Sequence, residues 1–328
     1  MNTSSPRVPG MQNSIEAGRQ PTIAHRIEFA AVAAAVAASR LLPGHFASRT
    51  AAAAGRLGYR IGVRRKVVES NLRIAFGDRD ADWRADIALQ SYAHLAREAI
   101  ATLRASPGGQ RAAMEQSYLE GGDILSNALD RGRGVVLLAG HLGNWELGVA
   151  TIAGSGFPLD AIARRQNNPL FDRAILDARN RFGVHVIDRH RATRPSLESL
   201  RMNHLLTLVA DQDARDNGVF VPFFHRLAST PRGPAVFTLR TGAPLFLMEP
   251  IRQPDGRLRV RLLPLEFQPT GDAEADTYAI TALYARSLEQ SVRESPGQYL
   301  WQHRRWKTKP PASPGVAEPT ASRKPSVE

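Results

Sequence analysis

The chain has 328 residues, 43 Lys and Arg against 31 Asp and Glu, a formal net charge of +12 and a hydrophobic content of 43%. Those values exclude a collagen, a wholly disordered chain and a polytopic membrane protein, and they leave room for a sizeable core. With 0 Cys there is no disulfide, thiol nucleophile or thiolate-ligated metal, and with Lys confined to positions 66, 307, 309 and 324 the positive charge is nearly all Arg. Arg-biased coding accounts for this as well as function does. A balance this basic nevertheless favours an anionic partner such as nucleic acid, an anionic membrane surface or an acidic carrier protein.

Residues 1–24 are rich in Ser, Pro, Gly, Asn and Gln and read as a disordered tail, as do the Pro/Ser-rich residues 308–328. Residues 25–110 read as an N-terminal helical, membrane-associating region. It opens with IEFAAVAAAVAAS (27–39), an apolar run of 13 residues, short of the roughly 20 that a spanning helix needs. Its small residues also fit a signal peptide, but one that starts late and has Glu28 at its edge. The stretch 49–76 reads as a basic amphipathic helix, with Leu57, Ile61, Val68, Leu72 and Ile74 set among Arg56, Arg60, Arg64, Arg65 and Lys66. Such a helix either lies on an anionic bilayer or carries an ordinary solvated basic face. Residues 81–106 read as a further amphipathic helix.

Residues 111–307 change pattern. Short apolar runs at 134–140, 159–164, 184–188, 204–211 and 243–250 alternate with helix-like stretches at 145–155, 169–182, 194–203 and 232–242. That alternation predicts an α/β fold with a mostly parallel central sheet flanked by helices. Chemistry in such sheets gathers at the carboxyl ends of the strands. GVVLLAG runs there into HLGNWELG, which puts His141 at a strand end and makes Asn144 a helix N-cap. Glu146 follows in the first helical turn. An imidazole can take a proton from a hydroxyl, and a carboxylate on its other nitrogen would fix the tautomer. A structural His beside a capping Glu has the same spacing.

The next strand end carries Arg164 and Arg165, and the following helix carries Arg173, Arg179 and Arg181, a set suited to phosphate. DQDARDNG then brings Asp211 and Asp213 to another strand end, where they are suited to orienting Arg or His groups. Two carboxylates and a distant His do not make a metal-ligand spacing, so no metal is assigned. The VFVPFF run after them (219–224) has the composition of an acyl-groove lining. Near the end, Tyr299, Trp301 and Trp306 alternate with Arg304, Arg305, Lys307 and Lys309. This pattern fits a membrane interface, an acidic partner or single-stranded nucleic acid.

Taken in order over residues 25–309, HLGNWE, ARRQNNPL, ARNRFG, DQDARDNGVFVPFF and PGQYLWQHRRWK resemble the blocks of the bacterial lipid A biosynthesis acyltransferases of the lauroyl/myristoyl type. HLGNWE looks like their H-x4-D/E motif. The resemblance implies a glycerolphosphate acyltransferase-like fold and transfer of a fatty acyl chain from acyl-carrier protein to a hydroxyl of a lipid A precursor, at the cytoplasmic face of the cell inner membrane. It implies His141 as base, Glu146 as the group holding it, Arg164 with Arg179 or Arg181 on an acceptor phosphate, and Asp211 and Asp213 in substrate binding. No cofactor is needed, because a thioester is already activated. The basic surface would dock the acidic carrier and the anionic inner-membrane surface. No nucleic-acid-binding module is recognisable, and no nucleic-acid partner is expected. The wider superfamily includes enzymes acting on lysophospholipids and glycolipids, with acyl-carrier protein or coenzyme A as donor.

Overall fold

The computed structural model describes residues 20–311. The tails expected at 1–24 and 308–328 lie mostly outside that range, and the first helix already begins within the former. Four helices come first: α1 (Ile23–Arg40), α2 (Gly44–Arg60), α3 (Arg65–Ala75) and α4 (Ala81–Ala105). The stretch 49–76 is thus two helices and not one. Gly62 sits at φ +88° and Arg64 at φ +54°, left-handed conformations that end α2 and restart the chain in a new direction. None of the helices in the described residues is long and apolar enough to cross a membrane.

The alternating part follows as α5 (Gly109–Glu115), β1 (Ser117–Glu120), α6 (Gly122–Leu129), β2 (Val135–Ala139), α7 (Trp145–Gly154), β3 (Leu159–Ala163), α8 (Pro169–Arg181), β4 (Val184–Asp188), α9 (Thr193–Arg201) and β5 (Leu205–Val209). The chain then forms a hairpin, β6 (Gly218–Phe223) with β7 (Arg226–Pro231), and closes with α10 (Gly233–Thr241), β8 (Leu245–Arg252), β9 (Leu258–Leu265) and α11 (Ala273–Glu294). The central sheet has the order β1-β9-β8-β2-β5-β3-β4, parallel throughout except for the antiparallel β8–β9 pair. The expected α/β sheet, mostly parallel and flanked by helices, is therefore the observed architecture.

β2 is buried along its whole length, as an unbroken apolar run in the middle of a parallel sheet should be. Its side chains alternate between two cores. Val136 and Leu138 join Leu206, Leu245 and Leu247 under α3, α4, α10 and α11, while Val135, Leu137 and Ala139 join Leu205, Phe246 and Met248 under α5, α6 and α7. The first core also contains Tyr299, Trp301 and Trp306. The aromatic side chains of the segment after α11 are thus interior, while Arg304, Lys307 and Lys309 are exposed. Arg305 within it is 3% exposed and donates to the Ser229 carbonyl at 2.7 Å.

α2 lies along α4 at close range because its facing residues are Ala47, Ala51, Ala52 and Gly55. A Cβ at Gly55 would stand 2.2 Å from the Tyr92 carbonyl oxygen, an impossible distance for packed backbone. Gly55→Ala is expected to push α2 off α4 and to cost about 1–3 kcal/mol or more of stability. A fall in the urea midpoint of unfolding relative to wild type checks this.

Candidate active site

The sheet register brings the two halves of the site together. Ala139 of β2 pairs with Val209 of β5, so His141 and Asp211, each two residues beyond that pair, leave adjacent parallel strands at the same level. His141 Nδ1 lies 2.6 Å from Asp211 Oδ1, and the His141 backbone N–H donates to Asp211 Oδ2 at 2.7 Å. Because a carboxylate only accepts, Nδ1 carries a proton, and in the neutral ring Nε2 is then the basic nitrogen. Nε2 has the Gln212 side-chain amide 3.2 Å away, and the ring meets Trp145 edge-on at 4.8 Å between centroids. Burial would raise the Asp211 carboxyl, but the His141 ring, the His141 N–H and the Arg305 guanidinium outweigh it and hold the group down to about 2. The Tyr299 phenol, which burial pushes well above its ordinary value, stays neutral beside it.

The turn that presents His141 has little freedom. Gly143 sits at φ +60°, and a Cβ there would fall 1.6 Å from the Pro250 oxygen. Gly143 N–H donates to the Gln298 carbonyl, Asn144 N–H to Pro250, and Leu300 N–H to the His141 carbonyl, all at 2.9–3.0 Å. The Gly143 carbonyl accepts from His94 Nε2 at 3.1 Å. Asn144 caps α7 by accepting from Leu147 N–H at 2.9 Å, while its amide donates to Glu98 at 2.8 Å. Glu98 in turn holds Arg252 through two charge-assisted bonds, at 2.5 and 3.0 Å.

Glu146 does not touch the imidazole on its Nδ1 side, which corrects the expectation that it holds His141. It grips Arg179 of α8 through two bonds, at 2.5 and 3.0 Å. Burial would raise its carboxyl, and the Arg179 guanidinium outweighs that and keeps it below the usual carboxylate range. Since α7 begins at Trp145, the turn after His141 carries Glu146 toward α8 and leaves the Nδ1 position to the neighbouring strand. Arg179 is therefore committed to an ion pair. Arg164 is exposed at the end of β3, beside Arg179 in a small adjoining pocket. Arg181 lies at the edge of the main groove. Asp213 stands apart from the imidazole, accepting from the Thr308 hydroxyl at 2.9 Å and from its N–H at 3.2 Å, so that it ties down the end of the described chain.

His141 opens onto a groove of about 540 Å³ between α1, α4 and α8, walled by Phe29, Val32, Val36, Leu95, Phe171 and Ile175. VFVPFF is not part of it. Phe223 and Phe224 are buried against Trp301 and Trp306. Sequence reasoning missed the wall from α1, and the only signal for it was the apolar run 27–39. It also missed His94 and Glu98, whose i, i+4 spacing on an expected helix was visible. No group of three or more His, Cys, Asp or Glu among the described residues is arranged to hold a metal ion.

The profile of the family described as "Bacterial lipid A biosynthesis acyltransferase" matches residues 16–308. The chain belongs to that family. As a family member it is an acyltransferase. It is 32% identical over 225 residues to a phosphatidylinositol mannoside acyltransferase of Mycolicibacterium smegmatis, covering 66% of this chain and 73% of the relative. It is 28% identical over 264 residues to the lipid A biosynthesis lauroyltransferase of Escherichia coli, covering 79% and 85% of the two chains. The corresponding figures for the lipid A biosynthesis myristoyltransferase of Escherichia coli are 26% over 289 residues, 85% and 86%.

Two outcomes follow for Asp211. Its folded value, near 2 against an ordinary 3.8, means that its contribution to stability is full above about pH 4 and is lost as pH falls toward 2. That contribution is on the order of 2 kcal/mol. In Asp211→Asn the acid limb of unfolding free energy against pH should flatten by that amount. In the same variant, still folded by near-UV circular dichroism, acyl transfer should fall roughly ten-thousandfold through loss of the tautomer.

Proposed function

We propose that the chain moves a fatty acyl group from acyl-carrier protein to a hydroxyl of a lipid A precursor, at the cytoplasmic face of the cell inner membrane. The observation that carries the reading is a histidine at the mouth of an apolar groove with its Nδ1 on a buried carboxylate, which leaves Nε2 as the basic nitrogen of the neutral ring. The acyl chain lies in the groove with its thioester carbonyl at His141. Nε2 takes the proton of the acceptor hydroxyl as the oxygen attacks that carbon. When the tetrahedral species collapses, the C–S bond breaks, the thiolate leaves and the proton on Nε2 passes to sulfur. Asp211 stays ionised throughout and offsets the imidazolium charge.

Arg164 and Arg181, on two sides of the Glu146–Arg179 pair, are the groups we assign to an acceptor phosphate. Arg179 holds Glu146 and so fixes the wall between them. The acidic carrier would meet a chain of net charge +12. Contact with the bilayer falls to α1 and α2, where Ile23, Ile27, Leu41, Leu57 and Ile61 are exposed among Arg56, Arg60 and Arg64. A second acceptor class, a mannosylated glycolipid, is favoured by one fact, the 32% identical relative whose name carries that activity.

Labelled acyl transfer from acyl-carrier protein to a tetra-acylated lipid A precursor tests the reading. Wild type is expected to transfer and His141→Ala to lose roughly a hundredfold to ten-thousandfold. Transfer only to a mannosylated glycolipid, or only from acyl-coenzyme A, would replace the acceptor or the donor. Undiminished transfer by His141→Ala would overturn the chemistry.

A further inference from the structure

A second cavity is larger than the one that His141 faces. It has a volume of about 930 Å³ and lies on the opposite side of α4, with Gly44 and His45 at the start of α2 in its wall. Arg97 and Arg104 both line it. Being seven residues apart they share one face of α4, about 10 Å apart along the helix axis. Neither has a carboxylate partner: Arg97 makes no hydrogen bond among the described residues and Arg104 makes one, to a backbone carbonyl, with Arg97 Nε and Arg104 Nη1 left unpaired. Two guanidinium groups without a carboxylate partner in the wall of one cavity suit an anionic ligand. The acids in the wall are already engaged, Glu98 by Arg252 and Glu115 by Arg111 at 2.9 Å.

The cavity adjoins an apolar tip. Leu41 and Leu42 of the α1–α2 turn and Phe46 of α2 are 87%, 39% and 51% exposed. Arg104 ties the two together, since its Nη2 donates to the Leu42 carbonyl at 3.2 Å. Guanidinium groups recessed behind exposed aliphatic and aromatic side chains match a phosphate at headgroup depth beneath acyl chains.

We propose that this cavity is a second binding site, separate from the acyl groove, that takes the phosphate of an anionic membrane lipid while Leu41, Leu42 and Phe46 enter the lipid layer. It rests on the membrane contact assigned to α1 and α2 above and is independent of the transfer chemistry. The bound lipid phosphate pairs with the Arg97 and Arg104 guanidinium groups and holds α1, one wall of the acyl groove, at the bilayer surface.

The experiment titrates the full-length chain, without acyl donor, with short-chain phosphatidic acid below its micelle concentration. Wild type and His141→Ala are both expected to bind it saturably, which separates failure here from failure of the acyl-transfer reading. In Arg97→Gln/Arg104→Gln, with its fold verified by near-UV circular dichroism, affinity should drop about tenfold or more, while Arg191→Gln/Arg194→Gln, which removes the same charge from the exposed surface at the start of α9, should stay within about twofold. Leu41→Ser/Phe46→Ser should keep the soluble lipid and lose binding to phosphatidylcholine vesicles doped with phosphatidic acid. No saturable binding by wild type, equal loss in the two arginine pairs, equally tight binding of inorganic phosphate, or vesicle binding indifferent to Leu41→Ser/Phe46→Ser would each overturn the proposal.

Discussion

The contact between His141 and Asp211 is the constraint around which the rest is arranged. A carboxylate that is 3% exposed is tolerable only where charge and hydrogen bonds replace the water it has lost. Asp211 receives the imidazole N–H, the backbone N–H of the same residue and the field of Arg305. Arg305 is itself buried and held by Ser229 and Thr230 of the β6–β7 hairpin. Sheet, hairpin and C-terminal segment therefore meet at one charged centre, and the base inherits its orientation from all three.

The turn between β2 and α7 supplies the second constraint. Its backbone donors and acceptors are taken by residues 298–300, Pro250 and His94, and Gly143 lies too close to Pro250 for any side chain. Glu98 fixes Asn144 at the helix start and Arg252 at the end of β8. His141 thus projects from a turn braced on several sides. By contrast α1, one wall of the acyl groove, leaves Ile23 and Ile27 exposed. The division suits an enzyme that must hold one nitrogen still and admit a long, flexible chain.

Much of this was legible in the sequence. The β2 and β5 runs, the helix after His141 and the Asn144 cap were written in apolar patterning and capping chemistry, and His141 and Asp211 were each visible at a strand end. Their pairing was not, because chain order does not reveal that β2 lies beside β5, with β3 beyond it. Spacing along the chain pointed to Glu146 instead, the nearer carboxylate in sequence, and only the path of α7 toward α8 shows why Arg179 claims it. Composition misled twice for one reason. VFVPFF and the segment around Trp301 have aromatic content that fits a groove or a membrane face, yet they bury each other, and such mutual packing leaves no local mark.

The central claim is that Asp211, and not Glu146, sets the tautomer of the base. Nitrogen-15 NMR of histidine-labelled protein reads this directly. The account predicts that His141 is protonated on Nδ1, with a downfield proton in the bond to Asp211, a signal that survives Glu146→Gln and disappears in Asp211→Asn. An Nε2-protonated His141 in the wild type, or a signal lost in Glu146→Gln and kept in Asp211→Asn, would contradict it.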